Sequence, residues 1–160
     1  YKSMKRYLII GCAALLTAVS CGTQQTQQTE TTSVYSLKGE WEVVSVDYDK
    51  KFKIKPFHEG ADAKCFVGST WKLIPNNYSG SYTLHGSSSC PEVYQAIKFE
   101  VTKNKEFRFK KLKENVKAKN ITEGYVLQLE NHQENSFTLT QNLSFEGKNL
   151  TVHYQFRRIK

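Results

Sequence analysis

From Leu37 onward the chain alternates apolar and polar residues with period two far more often than with a helical period. That alternation marks strands with one oily and one wet face. The first strand is expected over residues 40–48, within LKGEWEVVSVDY, with Trp41 and Val43 on one face and Val44, Val46 and Tyr48 on the other. The change of face predicts a bulge near Val43 and Val44. Residues 70–74 carry Trp71 and Leu73 and stop at Pro75-Asn76-Asn77, a run of turn formers. Gly80 opens a third strand over 81–85, with Tyr82 and Leu84 facing one way, and Gly86 to Pro91 reads as a loop by composition.

The clearest hairpin joins residues 95–102, with Ile97, Phe99 and Val101 opposite Lys98 and Glu100, to residues 106–112, with Phe107 and Phe109 opposite Arg108 and Lys110. Three more strands follow. Residues 124–130 align Tyr125, Leu127 and Leu129, and residues 136–145 align Phe137 and Leu139, with Leu143 and Phe145 nearer a turn at 146–149. Residues 150–159 align Leu150, Val152, Tyr154 and Phe156 against Thr151, His153, Gln155 and Arg157. The Lys-rich stretch 50–68, with Pro56, Gly60 and room for a short helix near Gly60 to Cys65, and the charged stretch 113–123 read as loops.

Eight strands joined mostly by hairpin-length turns imply sequential antiparallel pairing. Their apolar faces can be hidden in a two-sheet β-sandwich or in a closed barrel. Closure removes both sheet edges, so the expected fold is all-β, an eight-stranded antiparallel up-and-down β-barrel, with the sandwich as the alternative. The loops around 50–64 and 86–91 are then expected at a barrel mouth.

The N-terminus reads differently. Lys5 and Arg6 precede an apolar run, LIIGCAALLTAV, that is too short for a spanning helix and suits a signal peptide over residues 1–20, with Met4 as the start. Ala18-Val19-Ser20-Cys21-Gly22 resembles the lipobox of bacterial lipoproteins, with Ala18 where leucine is usual. The resemblance implies acyl chains on Cys21, hence a membrane as partner, because several chains anchor where one does not. Residues 21–36, rich in Gln and Thr, are expected to be a flexible tether to a domain over 37–160. No acidic cluster follows Cys21, which favours the periplasm-facing side of a bacterial outer membrane over the cell surface.

Removing Lys2, Lys5 and Arg6 with the signal takes the formal charge from +8 to +5. The remaining excess is spread along loops and strand faces, so nucleic acid is not an expected partner. A solvated basic face or contact with anionic headgroups accounts for it. Cys12 leaves with the signal and Cys21 is acylated, so Cys65 and Cys90 remain as a pair in an oxidising compartment and are expected to be bridged.

Gly39-Glu40-Trp41 on the first strand, eight antiparallel strands and an arginine on the last strand resemble the lipocalins and the wider calycin group. The lipoprotein signal, Cys65, Gly68-Ser69-Thr70-Trp71-Lys72-Leu73, Gly80-Ser81-Tyr82 and Cys90 make the chain similar to lipocalin-like lipoproteins of Bacteroidetes. The resemblance implies that Gly39, Trp41 and a terminal arginine close one barrel end, the cation lying over the indole. Strand parity selects Arg158 over Arg157.

No catalytic constellation stands out. His58, His85, His132 and His153 are scattered without metal-ligand spacing, and there is no phosphate loop or nucleophile elbow, so neither an enzyme nor a cofactor is expected. The aromatic-rich inner faces (Trp71, Leu73, Tyr82, Leu84, Phe99, Phe107, Phe109, Tyr125, Leu127, Phe137, Leu139, Tyr154 and Phe156) either fill the barrel or line a pocket for a small hydrophobic or amphipathic ligand. The first function these features imply is a monomeric, lipid-anchored binding protein. The other is a filled barrel that docks a protein or an envelope polymer.

Overall fold

A computed structural model describes residues 32–57 and 60–160. The signal, Cys21, most of the tether and His58 lie outside the described residues. The strands are β1 (Gly39–Asp47), β2 (Thr70–Ile74), β3 (Ser79–Ser87), β4 (Cys90–Val101), β5 (Glu106–Lys111), β6 (Tyr125–Glu130), β7 (Ser136–Phe145) and β8 (Lys148–Arg158). Each pairs with the next in antiparallel fashion, and β8 returns to β1. The sheet is a closed up-and-down barrel, not a sandwich.

The seam is closed by Trp41 opposite Arg158, Glu42 opposite Arg157 and Val43 opposite Phe156, after which the register shifts to Ser45 opposite Gln155 and Val46 opposite Tyr154. The bulge therefore falls where the change of face suggested, but its consequence for Val44 and Val46 differs. Val44 is exposed while Val46 is buried, so the two do not share a face. An extra residue in the bulge turns the strand so that Val46 points back into the barrel after Val43. On the strand's other edge, the Val43 carbonyl and amide bond to the Gly68 amide (2.7 Å) and the Ser69 carbonyl (3.0 Å), extending the contact with β2.

β4 begins at Cys90, several residues before the alternation becomes legible, and the expected loop at 86–91 is a two-residue turn at Ser88 and Ser89. Gly86, at φ +74°, supplies the bend that lets His85 pair with Glu92 and Ser87 with Cys90. The β7–β8 hairpin turns on Glu146 and Gly147, both at positive φ, as a two-residue loop matched to strand twist requires.

Up-and-down topology puts the β1–β2, β3–β4, β5–β6 and β7–β8 connections at one end, the mouth. The other three turns and the two ends of the barrel chain lie at the base. The interior is packed from base to mouth by inward residues of every strand, among them Trp41, Trp71, Tyr82, Ile97, Phe107, Leu129, Phe137 and Val152.

Candidate functional site: the barrel interior

The base is closed by Trp41. Its indole is fully buried, donates from Nε1 to the Leu37 carbonyl (2.9 Å) and meets Phe137 edge-on at 4.6 Å, with Phe137 stacked on Phe156 at 4.4 Å. Arg158 covers the other side, its guanidinium carbon 4.2 Å from the centre of the Trp41 ring. The same guanidinium donates to the carbonyls of Ser36, Lys38 and Glu134. It thus ties the segment before β1 to the β6–β7 connection as well as contributing a cation over a ring face. Arg157 points outward to Glu42 (2.8 Å).

Gly39 sits under this arginine at φ +143°, and a Cβ there would lie 2.5 Å from both Arg158 Nη1 and the Lys160 carbonyl oxygen. Only glycine fits that conformation and that space. Beside the base, His132 Nε2 lies 2.9 Å from Ser36 Oγ. Burial, and then the nearby Lys105 and Arg158 charges, hold its pKa below the ordinary histidine value.

The expected ligand-lining residues converge in the barrel interior, from base to mouth. Trp71, Leu73, Tyr82, Leu84, Phe99, Phe107, Phe109, Leu127, Phe137, Leu139, Tyr154 and Phe156 are all buried, and Tyr125 is half-buried at the rim. Two rings from the β1–β2 connection enter the space between them. Phe66, on a 3-10 turn over Ala63–Phe66, is fully buried and lies 5.7 Å from Tyr82 and 6.3 Å from Tyr154. Phe57 meets Phe66 (5.3 Å), Phe109 (5.2 Å), Tyr125 (5.3 Å) and Tyr154 (5.6 Å).

This plug is fastened at several points. The Cys65–Cys90 disulfide joins its 3-10 turn to the start of β4, with Cα atoms 5.4 Å apart. Asp62 caps the turn through the Lys64 amide (3.3 Å) and accepts from Tyr48 (3.2 Å). Trp71 Nε1 donates to Ser69 Oγ (3.1 Å), and that hydroxyl donates to the Phe66 carbonyl (2.6 Å). Lys111 Nζ and the Tyr125 hydroxyl both donate to the Phe57 carbonyl.

The two buried phenols of this half differ. Tyr154 donates to Gln141 Oε1 (2.8 Å), a polar residue on the inner face of β7 that stands among Phe137, Leu139 and Leu143 and was not singled out in the sequence. Tyr82, 0 % exposed, has no hydrogen-bond partner at its hydroxyl among the described residues. Burial, with Tyr125 adding to it, raises the Tyr82 pKa far above the ordinary phenol value, so the group is a neutral O–H inside an apolar core. A buried hydroxyl left unpaired costs about 1–3 kcal/mol.

Phe57 and Phe66 escaped the sequence reading because a loop has no period to reveal an inward face. The available signal was their isolation, as large apolar residues in a Lys-rich stretch beside Cys65. Among the described residues no group of three or more His, Cys, Asp or Glu side chains is placed to hold a metal ion.

No family model matches the chain, and no curated protein matches it. Among solved structures it is similar to bovine odorant binding protein complexed with its natural ligand, at 7% identity and a TM-score of 0.47, covering 81% of this chain and 75% of that one. A complex of the bovine odorant binding protein with a selenium-containing odorant gives 7% identity and a TM-score of 0.46, covering 81% and 74%. A likeness of this degree carries no information about ligand or role.

Proposed function

We propose that the protein is a lipid-anchored, lipocalin-like binding protein of the bacterial outer membrane, facing the periplasm, that takes a small hydrophobic or amphipathic ligand into the mouth half of its barrel. The observation that carries this reading is the Tyr82 hydroxyl, buried in the aromatic core beside Phe66 and without a hydrogen-bond partner among the described residues. A ligand that displaces the Phe66 ring and presents a hydrogen-bond acceptor to Tyr82 replaces one apolar surface with another and satisfies the stranded donor. The apolar run before Cys21 supports the anchoring, and the absence of an acidic cluster after it supports the periplasmic side.

Native mass spectrometry of protein extracted from its own membrane tests the proposal. A reproducible adduct of one small molecule is expected, and the mass of the acylated chain alone would overturn ligand binding. A Cys21→Ser variant is expected to leave the membrane fraction, and its retention there would overturn the anchor. The alternative, a filled barrel that docks a protein or envelope polymer, is favoured by the rings of Phe57 and Phe66 already occupying the mouth. It predicts a salt-sensitive protein partner in pull-downs and no adduct.

A further inference from the structure

A cleft of about 650 Å³ lies on the outside of the barrel. Its floor is the outward face of β4, β5 and β6, and its wall is the β5–β6 connection, which folds over that face at Ala118, Lys119 and Thr122. Ile121 in this connection is buried outside the core cluster, and its amide donates to the Ala118 carbonyl (3.1 Å). The volume is that of a site for one small molecule.

The chemistry of the cleft is lopsided. Lys98 and Lys110 stand directly opposite each other on adjacent strands, where like charges repel. Lys119 adds a third ammonium from the wall. The ion pairs among the described residues are Arg108–Glu106, Arg157–Glu42 and Lys160–Glu40, and none of them involves these three lysines. Glu100, the carboxylate of the lining, faces Arg108 across the sheet, while the Arg108 guanidinium itself turns to Glu106. Beside the lysines, Val126 and Tyr78 leave apolar surface in the same cleft, 54% and 53% exposed. Lys98 Nζ donates to the Asn77 carbonyl (3.3 Å) and lies 5.9 Å from the centre of the Tyr78 ring. Neither it nor Lys110 is in an ion pair among the described residues, and two opposed cations next to apolar surface in a walled cleft have a definite complement.

We propose that this outer cleft binds a small anionic amphiphile, its carboxylate, phosphate or sulfate held between Lys98, Lys110 and Lys119 and its alkyl or aryl body laid on Val126 and Tyr78. The cleft lies on the outer face of strands whose inward residues Phe99, Phe109 and Tyr125 also border it, so it backs onto the barrel interior. Octyl phosphate is a suitable probe, with octanol as its uncharged counterpart, followed by backbone amide NMR shifts. Octyl phosphate is expected to move the amides of Lys110, Lys119 and Val126 in a saturable way. Binding should weaken about tenfold or more in K98Q/K110Q and weaken with added salt, because two charge-assisted contacts are lost.

The double variant should fold, since it relieves a like-charge pair and gives up at Lys98 only exposed contacts to the Asn77 carbonyl and the Tyr78 ring. Octanol is expected to leave those amides unmoved. Shifts confined to interior amides such as Tyr82 and Leu84, or an affinity unchanged in K98Q/K110Q, would overturn the proposal. Binding to phosphatidylglycerol vesicles without binding to free octyl phosphate would overturn it as well, because the face would then be a membrane contact rather than a small-molecule site.

Discussion

Phe66→Ala separates the two duties the structure gives to the plug. The Phe66 ring is fully buried and lies edge-on to Phe57 at 5.3 Å and to Tyr82 at 5.7 Å, so its removal leaves a cavity in the mouth half. Aromatic truncations of this kind cost about 3–5 kcal/mol, which a domain stable by about 5–15 kcal/mol survives. With a urea slope of about 2 kcal/mol/M, the midpoint should fall by about 2 M. The backbone at 66 is held independently of the ring, by the neighbouring disulfide and by the Ser69 hydroxyl on the Phe66 carbonyl, so the barrel should stay closed around the void.

Binding should move the other way. In the parent a ligand must displace a buried phenyl ring, whose burial is worth about 1.5–3 kcal/mol. The variant is relieved of that cost and should bind a neutral apolar probe such as N-phenyl-1-naphthylamine roughly 10- to 100-fold more tightly. Trp41 and Trp71 report unfolding, and probe fluorescence reports binding. A midpoint that falls while affinity stays unchanged would refute the idea that Phe66 occupies the ligand's place, and would leave it as an ordinary core residue.

Gly39→Ala forces a Cβ to within 2.5 Å of Arg158 Nη1 and the Lys160 carbonyl at a φ that L residues avoid, so denaturant titration should show a loss of about 1–3 kcal/mol or more. His132 is harder to protonate in the folded protein than in the unfolded chain. The unfolded state therefore takes up the proton first, and stability should decline as pH falls below about 6.5 toward the depressed native value. Thermal melts between pH 7.5 and 5 should show this decline, and His132→Gln should flatten it. Reducing Cys65–Cys90, which spans 25 residues, should lower stability by about 2–4 kcal/mol and speed probe entry in stopped flow, because the 3-10 turn carrying Phe66 loses its tie to β4. Unchanged entry would mean that the plug is held by its rings alone.

The strands were legible where one face is buried and the other wet. β2 ends where its alternation ends, because a polar outer face and an apolar inner face leave no other register, and β7 has its expected bounds although Thr138 and Thr140 on its outer face are buried as well. β4 was read short because its first turn of chain, Cys90 to Tyr94, is partly exposed on both faces and has no apolar period, while Gly86 and the serines imitate a loop by composition. The bulge in β1 was visible as a change of face, but the sequence did not show which valine turns outward.

Parity distinguished Arg158 from Arg157, since a one-residue difference on a strand is a difference of face. Two features of the interior had no such trace. Phe57 and Phe66 reach the core through a loop whose path is set by tertiary contacts. The unpaired state of Tyr82 depends on how every neighbour is oriented, whereas Tyr154, a similar residue on a similar face, finds Gln141.

That contrast leads to the most direct test of the interior site, thermal unfolding of Tyr82→Phe with and without 2-nonanone, a small ketone that offers one acceptor on an apolar chain. Without ligand the variant should melt at or above the parent temperature, because it loses a buried hydroxyl that has no partner among the described residues. With ligand, its upward shift should be smaller than the parent's, because the bond to the ketone is gone. A variant that melts well below the parent without ligand, or that gains the same shift from 2-nonanone, would contradict the assignment of Tyr82 as the ligand's hydrogen-bond donor.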